Sequence, residues 1–388
     1  MVKKKLSLQI IFVTLNIFVS TIFSQNDLTK YVDPFIGTSG HGHTYPGATL
    51  PFGLVQLSPD TGIEGWDWCS GYHYSDNSIM GFSQTHLSGT GATDYADILL
   101  MPTVGKVKII PGTKENPDEG YRSRFKHQNE TASPGYYSVL LDDYNVKVEL
   151  TATERCGFHK YTFPESDQAN IIIDLKHGLD DYSEGSIKII DSRRVEGVRK
   201  SSGWAKEHFV YFYAEFSKPF SGYTLFKDDA PVNRAQQLTG SNIKAALNFS
   251  TKGSEVILVK VGISAVDTEG ARRNLESEIP HFNFDKTLAE AKSKWQKELN
   301  KIVVEGGTET QKKIFYTALY HTLITPNIFN DVDGRYYGMD RKIHTTKDFN
   351  YYTVFSLWDT FRAEHPLLTI IDRKRSSDFV KTILAKYE

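Results

Sequence analysis

The sequence predicts two units in series, an antiparallel β-sandwich followed by a set of packed helices. Three observations carry this. From about Tyr31 to Val266, short β-like runs alternate with turn residues and no helical stripe intervenes. Tyr and Phe contribute 21 and 23 of the 388 residues, and such rings pack well on pleated surfaces. Near Phe284 the apolar spacing changes to three-and-four, the period of a helix face.

The chain opens on Lys3, Lys4 and Lys5, a largely apolar stretch from Leu6 to Phe23, and Ser24 before Gln25. This is the layout of a cleavable signal peptide over residues 1–24, and polar interruptions such as Gln9 and Asn16 argue against a permanent span. The mature protein is expected to be secreted or periplasmic, with no membrane attachment. A net charge of −2 gives no electrostatic footprint for nucleic acid or anionic lipid. With only Cys69 and Cys156, the fold is not disulfide-stapled, and their spacing says nothing about whether they pair.

Residues 25–284 form the expected sandwich. Val146 to Leu150 alternates apolar and polar as a half-buried strand should, whereas Asn170 to Leu175 is continuously apolar and expected to be buried on both faces. Tyr136 to Leu141, Phe158 to Phe163, Phe209 to Phe216 and Glu255 to Val261 add further strands. In the helical unit, 285–388, a first helix runs from Lys286 to Ile302 and a second from Gln311 to Ile324, stopped by Thr325-Pro326. A third spans Ser356 to Glu364, ending before Pro366, and a fourth starts at Ser377 with Phe379, Val380, Ile383 and Leu384 at helical spacing. These helices cannot bury their apolar faces alone, so the chain beyond about residue 300 is expected to aggregate or remain molten by itself.

Residues 31–102 carry the chemistry. They are dense in Gly, His, Trp, Tyr and Pro with little strand periodicity, and long irregular loops are where function concentrates. His41, His43, His73 and His86 could ligate zinc or copper, but His-x-His without a helical second pair is a weak signal. Gly37 to Gly42 lacks the Lys-Ser/Thr of a phosphate loop. Cys69 lies in a Trp-Cys-Ser-Gly context that suggests a nucleophile, yet no base is assigned to it and packing is the simpler reading. Trp66 and Trp68, flanking Asp67, suit a sugar: an aromatic face stacks on its C–H surface while a carboxylate binds its hydroxyls.

Several strings resemble glycoside hydrolase family 92. They are Tyr31 to Thr38, Gly40-His41-Gly42-His43-Thr44-Tyr45-Pro46-Gly47-Ala48, Trp68-Cys69-Ser70-Gly71-Tyr72-His73-Tyr74 and Gly81-Phe82-Ser83-Gln84-Thr85-His86-Leu87-Ser88-Gly89-Thr90-Gly91. Gly157 to Pro164, Phe315 to Thr322 and Ser356-Leu357-Trp358-Asp359-Thr360-Phe361-Arg362 agree as well. The resemblance implies a β-sandwich, a linking helix and an (α/α)₆ barrel, with the active site between the two domains. It implies a calcium-dependent, exo-acting α-mannosidase that inverts configuration on mannose-containing glycans. On that basis Trp66, Trp68, Cys69 and His86 help form the mannose pocket, and Trp358 and Asp359 touch the terminal sugar, with Arg362 on the same helix face as Asp359.

Inversion needs a general acid and a second carboxylate that activates water, about 6.5–9.5 Å apart. In the family both carboxylates and the calcium ligands lie far into the barrel. The expectation is therefore a front half with a truncated barrel, in which no catalytic or metal-binding residue is assigned. The alternative is a non-catalytic carbohydrate-binding module for mannose-type glycans. The sequence is silent on oligomeric state.

Overall fold

The computed structural model describes residues 27–387, so the expected signal peptide lies outside the described residues. Two large antiparallel sheets face each other. The eight-stranded sheet is centred on Leu99–Val104, Ser166–Asp174 and Ile243–Thr251, with Ile171 opposite Pro102 on one side and Leu247 on the other. The nine-stranded sheet is centred on His208–Phe216, Glu255–Ser264 and Cys156–Phe163. The continuous apolar run behaves as its pattern demands: Ile171, Ile172 and Ile173, on alternating faces of their strand, are all fully buried in the main apolar cluster. Val146–Ala152 alternates buried and open positions along its first half.

Helix α1, Thr268–Glu278, begins ahead of the boundary expected near 284 and lies on the outer face of the nine-stranded sheet. There Ala271, Leu275 and Ile279 pack with Cys156, Phe158 and Tyr213. Helix α2, Phe284–Leu299, is capped by the Asn283 side chain, which accepts from the Lys286 amide. Helix α3, Glu309–His321, opens with a capping box between Thr308 and Gln311. The helix expected over 356–364 is instead broken: α4 covers only Leu357–Thr360, and α5 runs Glu364–Ile371. Pro366 sits in the first turn of α5, where no intrahelical donor is needed, so it does not end a helix. Helix α6, Arg373–Tyr387, buries Phe379, whereas Val380 and Leu384 stay 59% and 57% exposed and Ile370 of α5 75% exposed. No helix among the described residues is long and apolar enough to cross a membrane.

The segment before the sandwich ties the two units together. The Leu28 amide donates to Gln296, the Asp33 amide to Thr317, and Phe52 exchanges backbone hydrogen bonds with Leu323 and Ile328. Trp295, fully buried, donates its indole N–H to the Thr49 carbonyl at 2.7 Å. Leu28, Val32, Leu50 and Phe52 thereby share one apolar cluster with Trp295, Tyr316, Tyr320 and Phe379.

Candidate active site

At this seam lies a cavity of about 500 Å³, within the range of small-molecule sites. One wall is sandwich loop: Ile36, Gly37, Gly42, Thr44 and the Ser88–Thr90 turn. The other is helical: His321 at the end of α3, Thr325 and Pro326, and Asp359, Thr360 and Glu364 at the α4–α5 break. Glycine is required in the first wall. A Cβ on Gly42 would stand 2.0 Å from the Gly37 carbonyl oxygen, so the loop can close on itself only without one. The Gly89 amide donates to the His43 carbonyl, joining the two sandwich loops.

Burial sets the electrostatics of the helical wall. It pushes the Glu364 carboxyl up to about 7, and the Oε1 atom has no hydrogen-bond partner. It also lowers His321 to about 4, which leaves a neutral imidazole whose Nε2 is likewise unpartnered. Because the folded state holds the Glu364 proton more tightly than the unfolded chain, the associated stability is complete below about pH 4.5 and lost as pH rises through 7. Glu364→Gln should therefore become progressively more stable relative to the wild type between those limits, read as urea midpoints at each pH. A constant difference would show that the carboxyl is ordinary.

The sequence-predicted residues separate. Asp359 lines the cavity and accepts from the Ser356 hydroxyl. Trp358 beside it is 88% exposed. Arg362 falls beyond the end of α4 with its guanidinium over the Phe361 ring, so the helix face it was expected to share with Asp359 does not form. Trp66, 55% exposed, meets His43 edge-on at 4.2 Å. Trp68 is clamped instead: its indole N–H donates to Asp76 at 2.7 Å and the Lys114 ammonium lies 3.6 Å from the ring centroid. Cys69 is buried with its thiol on the Trp66 carbonyl, burial raises its pKa, and both cysteines are free.

His86 is fully buried, away from the residues that line the cavity. Its Nε2 faces Asp60 at 2.8 Å, and His177 approaches the other carboxylate oxygen at 2.9 Å. Burial alone would raise Asp60, but the two imidazoles outweigh it and hold the carboxyl at about 2. The motif block around His86 thus encodes a buried polar network beneath the loops. Glu364, His321 and Trp204 were not singled out by sequence as site residues, whereas the Gly37–Thr44 wall lies in the segment expected to carry the chemistry.

Residues 31–264 match the model of the glycosyl hydrolase family 92 N-terminal domain, and residues 270–388 that of the family 92 catalytic domain. The chain belongs to glycoside hydrolase family 92. It is 43% identical to a family 92 α-mannosidase of Bacteroides thetaiotaomicron solved with mannoimidazole, with a TM-score of 0.91 over 93% of this chain and 48% of that one. An inverting family 92 mannosidase from the same organism is 29% identical, with a TM-score of 0.80 over 92% of this chain and 48% of that one. A curated uncharacterized secreted glycosidase of Arthroderma benhamiae is 25% identical over 90% of this chain and 48% of its own length. The chain therefore spans about half the length of these family 92 relatives.

Calcium dependence in family 92 calls for a donor set, and the described residues offer one cluster to test: Asp97, Asp180 and His208, with ligand atoms within 4.8 Å of one another. It does not fit. A nitrogen of the Arg199 guanidinium already lies 2.6 Å from Asp97 and 2.8 Å from Asp180, supplying the positive charge. Calcium takes 6–8 oxygen ligands, and one imidazole with two engaged carboxylates does not provide them. His41 and His73 pair elsewhere, with Asp67 and Ser75.

Proposed function

We propose that this chain forms the sandwich and the opening helices of an exported, inverting exo-α-mannosidase that removes terminal mannose from glycans. The observation that carries the reading is the cavity at the seam, which in a family 92 chain joins glycine-built sandwich loops to Asp359 on the helical side. Its size suits one sugar with its hydroxyls facing polar groups. Asp359 would accept from two hydroxyls of the terminal mannose, and Trp66 would stand at the rim as an apolar platform. Calcium belongs to this reading through the family, with no ligand assigned among the described residues. The general acid and base are likewise assigned to no residue described here.

Inversion has a direct signature. The complete gene product, given an α-linked mannobiose, should release β-mannose first, seen by proton NMR before mutarotation equilibrates the anomers. Release of the α anomer first, or no release, would overturn the assignment.

A further inference from the structure

A second cavity, of about 260 Å³, adjoins the first. It is lined by Trp204, Glu207, Tyr337, Met339 and Phe355 among others, and Trp204 and Val354 line both cavities. The two spaces are therefore neighbours across one tryptophan and one backbone turn. The smaller lies just below the range of about 300–1,000 Å³ typical of larger ligands, so it has room for one ring rather than a chain.

The rim between them is built and held. Trp204 sits in the turn between strands Arg194–Ser202 and His208–Phe216, with 56% of its surface exposed. Its backbone N–H donates to both oxygens of Asp94, at 2.9 and 3.1 Å. Asp94 is only 8% exposed, and burial raises its pKa. A Cβ at Gly203 would stand 2.1 Å from Asp94 Oδ1, so the carboxylate can approach only because that residue is glycine. Asp94 belongs to the same loop as Ser88, Gly89 and Thr90 of the first cavity. On the opposite side Val354 has φ +60°, a conformation disfavoured for a β-branched residue and typical of positions held by function. An exposed indole carried on a backbone held by a buried carboxylate, across from a strained backbone, is more than a solvent-facing side chain.

The chemistry of the groove is that of a sugar site. Trp204, Tyr337 and Phe355 offer aromatic faces for the C–H surface of a ring, Met339 at 72% exposure adds an adaptable apolar edge, and Glu207 offers acceptors for hydroxyls. Glu207 is itself oriented by the Tyr337 hydroxyl and by Arg341. We propose that this groove seats the leaving-side sugar, the residue to which the terminal mannose is attached, with Trp204 as its stacking platform. The proposal rests on the mannosidase reading for the first cavity and adds the determinant of what lies beyond the cleaved bond.

The test compares two substrates on the complete gene product. The mannobiose isomer cleaved fastest fills both sites, whereas α-mannosyl fluoride has no second ring. Trp204→Ala should lower the ratio of kcat/KM for mannobiose over mannosyl fluoride about tenfold, the size of one aromatic contact. Trp204→Phe should restore most of that ratio. Binding is measured alongside, as the preference of the protein for mannobiose over mannose by calorimetry. An equal fall on both substrates, or an unchanged ratio, would overturn the subsite. Should the wild type hydrolyse neither substrate, a mannobiose preference that Trp204→Ala abolishes would sustain the subsite while the hydrolase reading falls. Absence of that preference, or its survival in the variant, would remove the subsite itself.

Discussion

Replacing Arg199 by methionine is expected to destabilise the sandwich by about 3–5 kcal/mol, the cost of leaving buried charges without their partner. Arg199 is fully buried, and one guanidinium nitrogen bridges Asp97 and Asp180 while its Nε donates to the Leu175 carbonyl. Among the described residues the other basic group at this pair is His208, 3.5 Å from Asp180 and 4.0 Å from Asp97. Burial would raise Asp180, but the His208 hydrogen bond and the Arg199 charge outweigh it and hold the carboxyl at about 2. Methionine preserves the aliphatic volume and removes the bridge together with the hydrogen bond to Leu175. Lysine should recover part of the loss, since a single ammonium lacks the planar fork. Urea denaturation monitored by tryptophan fluorescence provides the measurement, and a loss below about 1 kcal/mol would mean that the cluster relaxes or hydrates. The same variant should loosen the turn that carries Trp204, because Asp180 and His208 flank the strand ends from which that turn projects.

Asp359→Ala is expected to lower mannoside hydrolysis by the complete gene product about 10–100-fold, the worth of one or two hydrogen bonds to a charged group. Stability should hardly change. Asp359 is exposed, and the partner it loses is the nearby Ser356 hydroxyl. This pairing of outcomes separates a binding role from a structural one, since loss of a buried support would lower both. Asp359→Asn, which keeps the shape and one acceptor, should fall between. Activity within twofold of the wild type would remove Asp359 from the site.

The architecture was legible wherever burial follows a simple period. Ser166–Asp174 and Val146–Ala152 formed strands because their apolar patterns leave one arrangement that keeps them dry. Helix α1 was missed for the opposite reason. Its buried face is Gly270, Ala271, Asn274 and Leu275, and Asn274 is satisfied by the Ile263 carbonyl and Asp331 rather than by apolar contact. Such a helix has almost no stripe to read.

The site was legible at the level of segments and less so at the level of residues. Parts of the first and last blocks between 31 and 91 line the cavity, but Cys69 and His86 are buried in the loops' own support. Polar groups that hold a loop rigid and polar groups that face a ligand look alike along a sequence. Trp204 gave the converse problem. A lone tryptophan in a hairpin turn has no pattern around it, and only the approach of Asp94, 110 positions earlier, reveals that it is fixed.

The strap formed by residues 28–52 also dictates an order of events. Leu28 meets Gln296 across 268 positions, and Asp33 meets Thr317 across 284. During synthesis Leu28, Val32, Leu50 and Phe52 emerge well before their apolar partners on α2 and α3. The strands can pair while the chain grows, but the strap must wait, unburied, until nearly 300 further residues exist. Closing so long a loop is slow compared with forming a hairpin. Assembly of the seam therefore comes after the strands have paired, and the strap stays sticky while the sandwich is being made.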